Sequence, residues 1–412
     1  MYMTEPAEAR IEDADNVLVA PSALRDDDLV RDFFGATITP EDLTSGSPDL
    51  ARKTVYLCGD VSGFGGRRLD ALDAAARVFA VRELSHGSHE DAGAPWTFVG
   101  AGRVPLRVHG AGVYYRRFFE PGADHFGRIR AEHAFQSLTE STKPGTAHRS
   151  GIYLTPVTRN GDELHFRLLR CSTNLSGPTE GFRPTDTRIV EELNREAAAV
   201  FRNQAPLNHV LAQIYHNTPA SAERRQSKAR ISAHADKTKD MPANGIMAFC
   251  TFYDGLDRLR PMAGDPFDLG VKGTSGLTRL HFRLKEPAGE GAGAGLAPQF
   301  GLTLYPGSVF FMPLSTNRLY THEIRPSALD AESLPTRLGY VVRCSSTEAV
   351  HKNGETFLKR DGKLVRMEPP TPEGMDELRR LYAEENRTSS FIDYGDEFLF
   401  SMNTGDYIAP RA

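Results

Sequence analysis

In Ile231-Ser232-Ala233-His234-Ala235-Asp236-Lys237-Thr238, a histidine and an aspartate stand two residues apart. On a strand, side chains alternate, so His234 and Asp236 leave the backbone on one face and can grip one ion together. A third donor is His322, in Arg318-Leu319-Tyr320-Thr321-His322-Glu323-Ile324, which follows a strand-like apolar run at 308–311 and is bracketed by apolar residues. Two histidines and one carboxylate on one face of an ion leave the opposite positions open for a co-substrate and oxygen. That is the donor set of non-haem Fe(II) oxygenases.

Arg337-Leu338-Gly339-Tyr340-Val341-Val342-Arg343 adds two arginines six apart, an even spacing that points both the same way on a strand. A guanidinium binds carboxylate bidentately and stays charged at any working pH. A dicarboxylate such as 2-oxoglutarate would chelate the metal with its keto acid end and meet an arginine with the other.

In order and local wording, His-x-Asp, a distal histidine and Arg-x5-Arg resemble the AlkB-like branch of the Fe(II)/2-oxoglutarate dioxygenases, over roughly residues 118–346. The resemblance implies Fe(II), 2-oxoglutarate and O2 as cofactor and co-substrates, with metal ligands His234, Asp236 and His322. It also implies that Tyr215 touches 2-oxoglutarate, that Arg337 pairs with its distal carboxylate, and that Arg343 lies near its chelating end. Gln213 stands where the family has asparagine two residues before the tyrosine, and Gly339 where it has asparagine between the arginines. Thr238 replaces the acidic residue that faces the damaged base in DNA-repair members. The family's halogenating members lack the carboxylate, so Asp236 implies hydroxylation, or demethylation through a hydroxymethyl intermediate.

With 412 residues, 40% hydrophobic and 25% charged, the composition is that of a soluble globular protein of one large or two modest domains. A formal net charge of -5 does not suit a protein that coats nucleic acid. Cys58, Cys171, Cys250 and Cys344 lie too far apart for a metal knuckle or a dense disulfide framework and read as reduced thiols. No run reaches the length of a membrane span, and residues 1–10 lack the order of an export signal, so the expected location is cytoplasmic.

The elements that must position these residues read as follows. Residues 1–50, acidic and punctuated by Pro6, Pro21, Pro40 and Pro48, read as a partly ordered arm with at most one short helix. Residues 51–112 read as an α/β extension: a strand, a turn rich in glycine from Gly59 to Gly66, and a helix over 68–79. The turn lacks the spacing of a nucleotide-binding loop and is taken as structural. Residues 113–350 form the core, with helices over 125–138 and 186–201, and a hairpin joining strands at 152–155 and 164–168 through Asn160-Gly161-Asp162. At least seven short strands indicate an α+β protein with a mainly β core, a double-stranded β-helix of the jelly-roll or cupin kind with flanking helices. Residues 351–412 read as a helical tail whose helix starts at Thr371-Pro372. Thr238, Lys237, Arg224 and Arg225 are the candidate substrate contacts, the last two on a basic insertion over the site. The expected substrate is a small molecule such as a nucleotide or natural product. An alkylated nucleic-acid base is the alternative, and a non-catalytic binding barrel a remote one.

Overall fold

In the computed structural model, the strand Thr336–Arg343 lies near the middle of a nine-stranded sheet, antiparallel to both neighbours, His209–Tyr215 and Ile246–Asp254. The structure describes all residues except 1–7, 14, 46–48, 64–66, 88–95, 121, 140–145, 171–174 and 286–295. Alternation sorts the strand's side chains. Leu338, Tyr340 and Val342 join a core with Val210, Ala212, Ala248 and Phe252, covered by Ile189, Leu193, Ala197 and Val200. Those last four recur every three or four residues along the helix Pro184–Val200, which gives it one apolar face to bury.

Arg337, Gly339, Val341 and Arg343 take the opposite face. They look toward a four-stranded sheet in the order Ile231–His234, Tyr320–Ile324, Arg279–Leu284, Gln299–Thr303. Met247 and Phe249 of the large sheet meet Leu280, Phe282, Tyr320 and Ile324 of the small one in a second core. The result is a β-rich α+β fold of several sheets, with helices packed outside the larger one. Among the described residues no helix is long and apolar enough to cross a membrane.

The segment expected as an acidic arm is structured. Asn16–Val19 and Ala36–Ile38 are parallel strands in one sheet with Thr54–Asp60, Arg77–His86 and Thr97–Val99. Val17 and Val19 pack on one face of that sheet and Leu18 and Ala20 on the other. A strand of a parallel sheet is covered on both faces, so a run of four apolar residues inside an acidic stretch suffices. The helix expected over 68–79 is only Arg67–Leu72, and the strand Arg77–His86 takes over its C-terminal part. The glycines at 65 and 66, and Cys171, lie outside the described residues. The other three cysteines are buried free thiols.

Two further expectations give way. The strands at 152–155 and 164–168 belong to different sheets: Thr146–Thr155 pairs with His209–Tyr215, whereas Glu163–Leu168 pairs with Thr158–Asn160 and Thr347–Lys352. The tail is not helical at its start, because Thr347–Lys352, Glu355–Arg360 and Lys363–Arg366 form consecutive hairpins. Their turns are Asn353-Gly354 and Asp361-Gly362, all four residues at positive φ, the dipeptides such tight turns favour. The helix Pro372–Arg387 then begins as expected, with the Thr371 side chain accepting from Gly374 N–H.

A buried ionic brace ties the principal sheet to its covering helix. His133 has Nδ1 3.0 Å from Glu180 Oε2 and Nε2 2.7 Å from Asp186 Oδ2, with a fully buried side chain, and Tyr340 donates to Asp186 Oδ1 at 2.8 Å. Burial lowers the imidazole's pKa, but the two carboxylates outweigh it and raise the value above its ordinary level. A raised folded-state pKa makes this stabilisation complete below the unfolded value of about 6.5 and lost as pH climbs through the folded value. Denaturant unfolding should therefore show stability falling as pH rises past neutrality, with a flatter slope in His133→Gln; equal slopes would rule the brace out.

Candidate metal centre and its cavity

The strands Ile231–His234 and Tyr320–Ile324 are antiparallel neighbours, and their register sets His234 opposite His322. Their ring centroids are 4.4 Å apart. Asp236 lies two residues past the end of its strand, yet its Oδ1 is 3.6 Å from His234 Nε2 and 3.9 Å from His322 Nε2. Donor atoms of the three all lie within 4.8 Å of one another. His322 is buried between Phe249 and Phe282, and its Nδ1 finds no partner among the described residues. Burial pushes its pKa down to about 3, so the ring is neutral and able to ligate.

Asp236 is held ionised. Burial by itself would raise its carboxyl, but Arg343, with Nη2 at 2.6 Å and Nε at 3.0 Å from Oδ2, holds it well below the usual carboxylate range. Oδ2 is spent on the arginine and Oδ1 faces the histidines. Arg343 therefore anchors the candidate metal ligand.

The backbone around Asp236 is pinned from two directions that sequence reading missed. Asn317, on the short helix Leu314–Leu319, accepts from Asp236 N–H at 2.8 Å and donates to Asp236 C=O at 2.8 Å. From the helix Pro372–Arg387, Asn386 accepts from Ala235 N–H at 2.6 Å. Glu385 accepts from the Thr238 amide and hydroxyl, and Lys237 stacks its ammonium 4.4 Å from the Tyr382 ring centre. Side chains that orient a ligand-bearing segment typically set metal affinity by about 10–100-fold. Asn386→Ala should lose about that factor in anaerobic competition for a divalent metal, while Asn386→Asp, which keeps an acceptor, should lose less. Unchanged affinity in the alanine variant would remove the helix from the account of the site.

A cavity of about 230 Å³ opens from these ligands along the inner face of the large sheet, and Arg337, Tyr215, Gln213, Thr251 and Val341 line it. Register places Tyr215 opposite Arg337 and Gln213 opposite Gly339. The Arg337 guanidinium lies 4.1 Å from the Tyr215 ring centre, and Tyr215 donates its hydroxyl to Gln213 Oε1 at 2.8 Å. Arg337 is 7% exposed, and among the described residues no carboxylate pairs with it. Gly339 is what admits this stack: a Cβ there would come within 3.0 Å of Arg337 Nη1 and 3.2 Å of Tyr215 Cε2. The glycine in place of the expected asparagine is thus a steric fit.

The candidate substrate contacts do not gather here. Thr238 is turned toward Glu385 and lines a different cavity with Phe391 and Tyr394. Lys237 does reach the cavity wall. Arg224 and Arg225 are exposed on the 218–228 insertion, which folds back on itself through a Thr218–Ser227 bridge. Lys228 ties the insertion to the 327–329 segment by donating to the Ser327 and Leu329 carbonyls, and no residue of 218–228 lines the cavity. A second cluster, Glu132, His133 and Asp186, has both imidazole nitrogens already on carboxylates and reads as the brace described above.

No model of a known family matches the chain, and no curated protein does. Among solved structures, that of OsALKBH1 superposes with a TM-score of 0.33 at 13% identity, covering 58% of this chain and 99% of that one. A Pseudomonas putida prolyl-4-hydroxylase gives 0.26 at 11%, covering 53% and 81%. Likeness at this level leaves function to the geometry of the cavity.

Proposed function

We propose that this chain is an Fe(II)/2-oxoglutarate-dependent oxygenase on a double-stranded β-helix, hydroxylating an unactivated C–H bond of a small molecule. One juxtaposition carries the reading: His234, Asp236 and His322 at one end of a cavity whose other end holds Arg337, a buried cation without a carboxylate partner among the described residues. The donors fit the metal. Two ligands each about 2.1 Å from one ion stand roughly 3–3.6 Å apart at angles of 90–120°; the 3.6 Å between His234 and Asp236 falls at the edge of that range, and the 3.9 Å between His322 and Asp236 needs only a small shift of either side chain to enter it. When bound, iron(II) supplies the oxidative chemistry that turns 2-oxoglutarate and O2 into succinate and CO2 while the substrate is oxidised.

The chain's own residues do the positioning. His234 and His322 offer imidazole nitrogens, and Asp236 offers the oxygen left free by Arg343. Arg337, stacked on Tyr215, takes the distal carboxylate of 2-oxoglutarate with two parallel donors. Phe249, Leu280 and Val341 supply an apolar wall that keeps water from the reacting carbon. Screening a small-molecule library for iron-dependent succinate release tests this. Stimulation by a subset of compounds is expected, with no formaldehyde from methylated oligonucleotides. Formaldehyde and succinate in matching yield from those oligonucleotides would transfer the activity to nucleic-acid bases.

A further inference from the structure

The inner face of the large sheet is ordered in rows that run across its strands. One row is Arg149, Tyr215, Arg337: Arg149 is the cross-strand partner of Tyr215, which is the partner of Arg337. Two steps nearer the Arg343 end comes an apolar row, Tyr153, Leu211, Val341, Phe249. Between them, Gly151, Gln213, Gly339 and Thr251 form a row that includes two glycines.

Arg149 lines the cavity, is part-buried, and among the described residues pairs with no carboxylate. The lining as a whole carries four cations, Arg149, Lys237, Arg337 and Arg343, against one carboxylate, Asp236. Binding of 2-oxoglutarate and a divalent metal does not correct this, because -2 and +2 cancel. The lining stays positive in a partly dehydrated space, where an unmatched charge is costly. Arg343 is matched by Asp236, Lys237 is stacked on Tyr382 and Arg337 is matched by the co-substrate, which leaves Arg149 facing the cavity.

We infer that the substrate is an amphipathic anion whose carboxylate or phosphate is held by Arg149 and whose apolar part lies along Tyr153, Leu211 and Phe249. This deepens the proposed function and rests on it. Four residues separate the arginine row from the apolar row, roughly 13 Å of strand, a span shortened by the reach of the arginine side chain. A short acyl or alkyl chain bearing a terminal oxyanion matches it, and the same surplus charge disfavours a cationic methylated base.

The test uses the full-length protein under anaerobic conditions, loaded with Fe(II) and saturated with 2-oxoglutarate. Binding of 2-oxoglutarate is measured first, and its absence would strike the proposed function. The probes are hexanoate and hexyl phosphate against neutral hexanamide and 1-hexanol, read by calorimetric titration. Charge-assisted hydrogen bonds predict that the anions bind about tenfold more tightly or better. That preference should vanish in Arg149→Gln and partly return in Arg149→Lys, with 2-oxoglutarate affinity unchanged in both. The carboxylate and phosphate arms identify which oxyanion is preferred. Neutral probes binding as tightly as anions, a preference surviving in Arg149→Gln, or no probe binding while 2-oxoglutarate does, would each overturn the inference.

Discussion

Asp236→Ala should abolish iron binding and also destabilise the fold by about 3–5 kcal/mol, because it strands a buried guanidinium. Arg343 is 5% exposed and its donors at 2.6 and 3.0 Å both go to Asp236 Oδ2. His234→Ala should lose the metal equally but cost little stability, since its side chain is 35% exposed. The double variant Asp236→Ala/Arg343→Met removes the stranded charge and should recover most of the stability without recovering the metal. Urea unfolding and anaerobic metal titration read the two effects separately. Comparable stability in Asp236→Ala and His234→Ala would mean that Arg343 does not anchor this carboxylate, and full turnover in any of the His234, Asp236 or His322 alanine variants would end the ligand assignment.

Arg337→Ala should weaken 2-oxoglutarate binding by about 1.5–3 kcal/mol, the usual worth of charge-assisted hydrogen bonds, which is about 10–100-fold. The fold should tolerate this well. Arg337 is buried without a carboxylate partner among the described residues, so its removal relieves a desolvation cost. Lysine at 337 should rescue poorly, since an ammonium presents no planar fork and stacks less well on Tyr215. Arg343 variants should behave differently, losing metal and stability together. If Arg337→Ala instead unfolds readily and binds 2-oxoglutarate normally, its role is structural.

The grouping of the site's residues was readable because spacing alone fixes which face a strand residue takes. The even interval Arg337–Arg343 places that pair on one side of its strand, whereas Asp236, two residues past the end of its strand, is brought to His234 by Asn317 and Arg343. The support around them was not readable. Asn386 and Glu385 lie 151 and 147 residues from their partners Ala235 and Thr238, and no local pattern marks an asparagine as a clamp for a distant amide. That Thr238, read as a substrate contact, turns to Glu385 on the C-terminal helix was unreadable for the same reason. Two misses had signals in plain view. Asn353-Gly354 and Asp361-Gly362 are strong hairpin turns, and Val17-Leu18-Val19-Ala20 is a buried apolar run, overlapping the strand Asn16–Val19, inside an acidic stretch. Arg149 had none, because its importance comes from the cross-strand register with Tyr215 and Arg337.

The central claim is that one cavity joins a metal held by His234, Asp236 and His322 to a dicarboxylate held by Arg337. Anaerobic equilibrium titration of 2-oxoglutarate, with and without Fe(II), tests it most directly. The account predicts one molecule bound per chain, with affinity that falls sharply when the metal is omitted, when His322 is alanine, or when Arg337 is alanine. Binding that is indifferent to the metal and to both substitutions would contradict it.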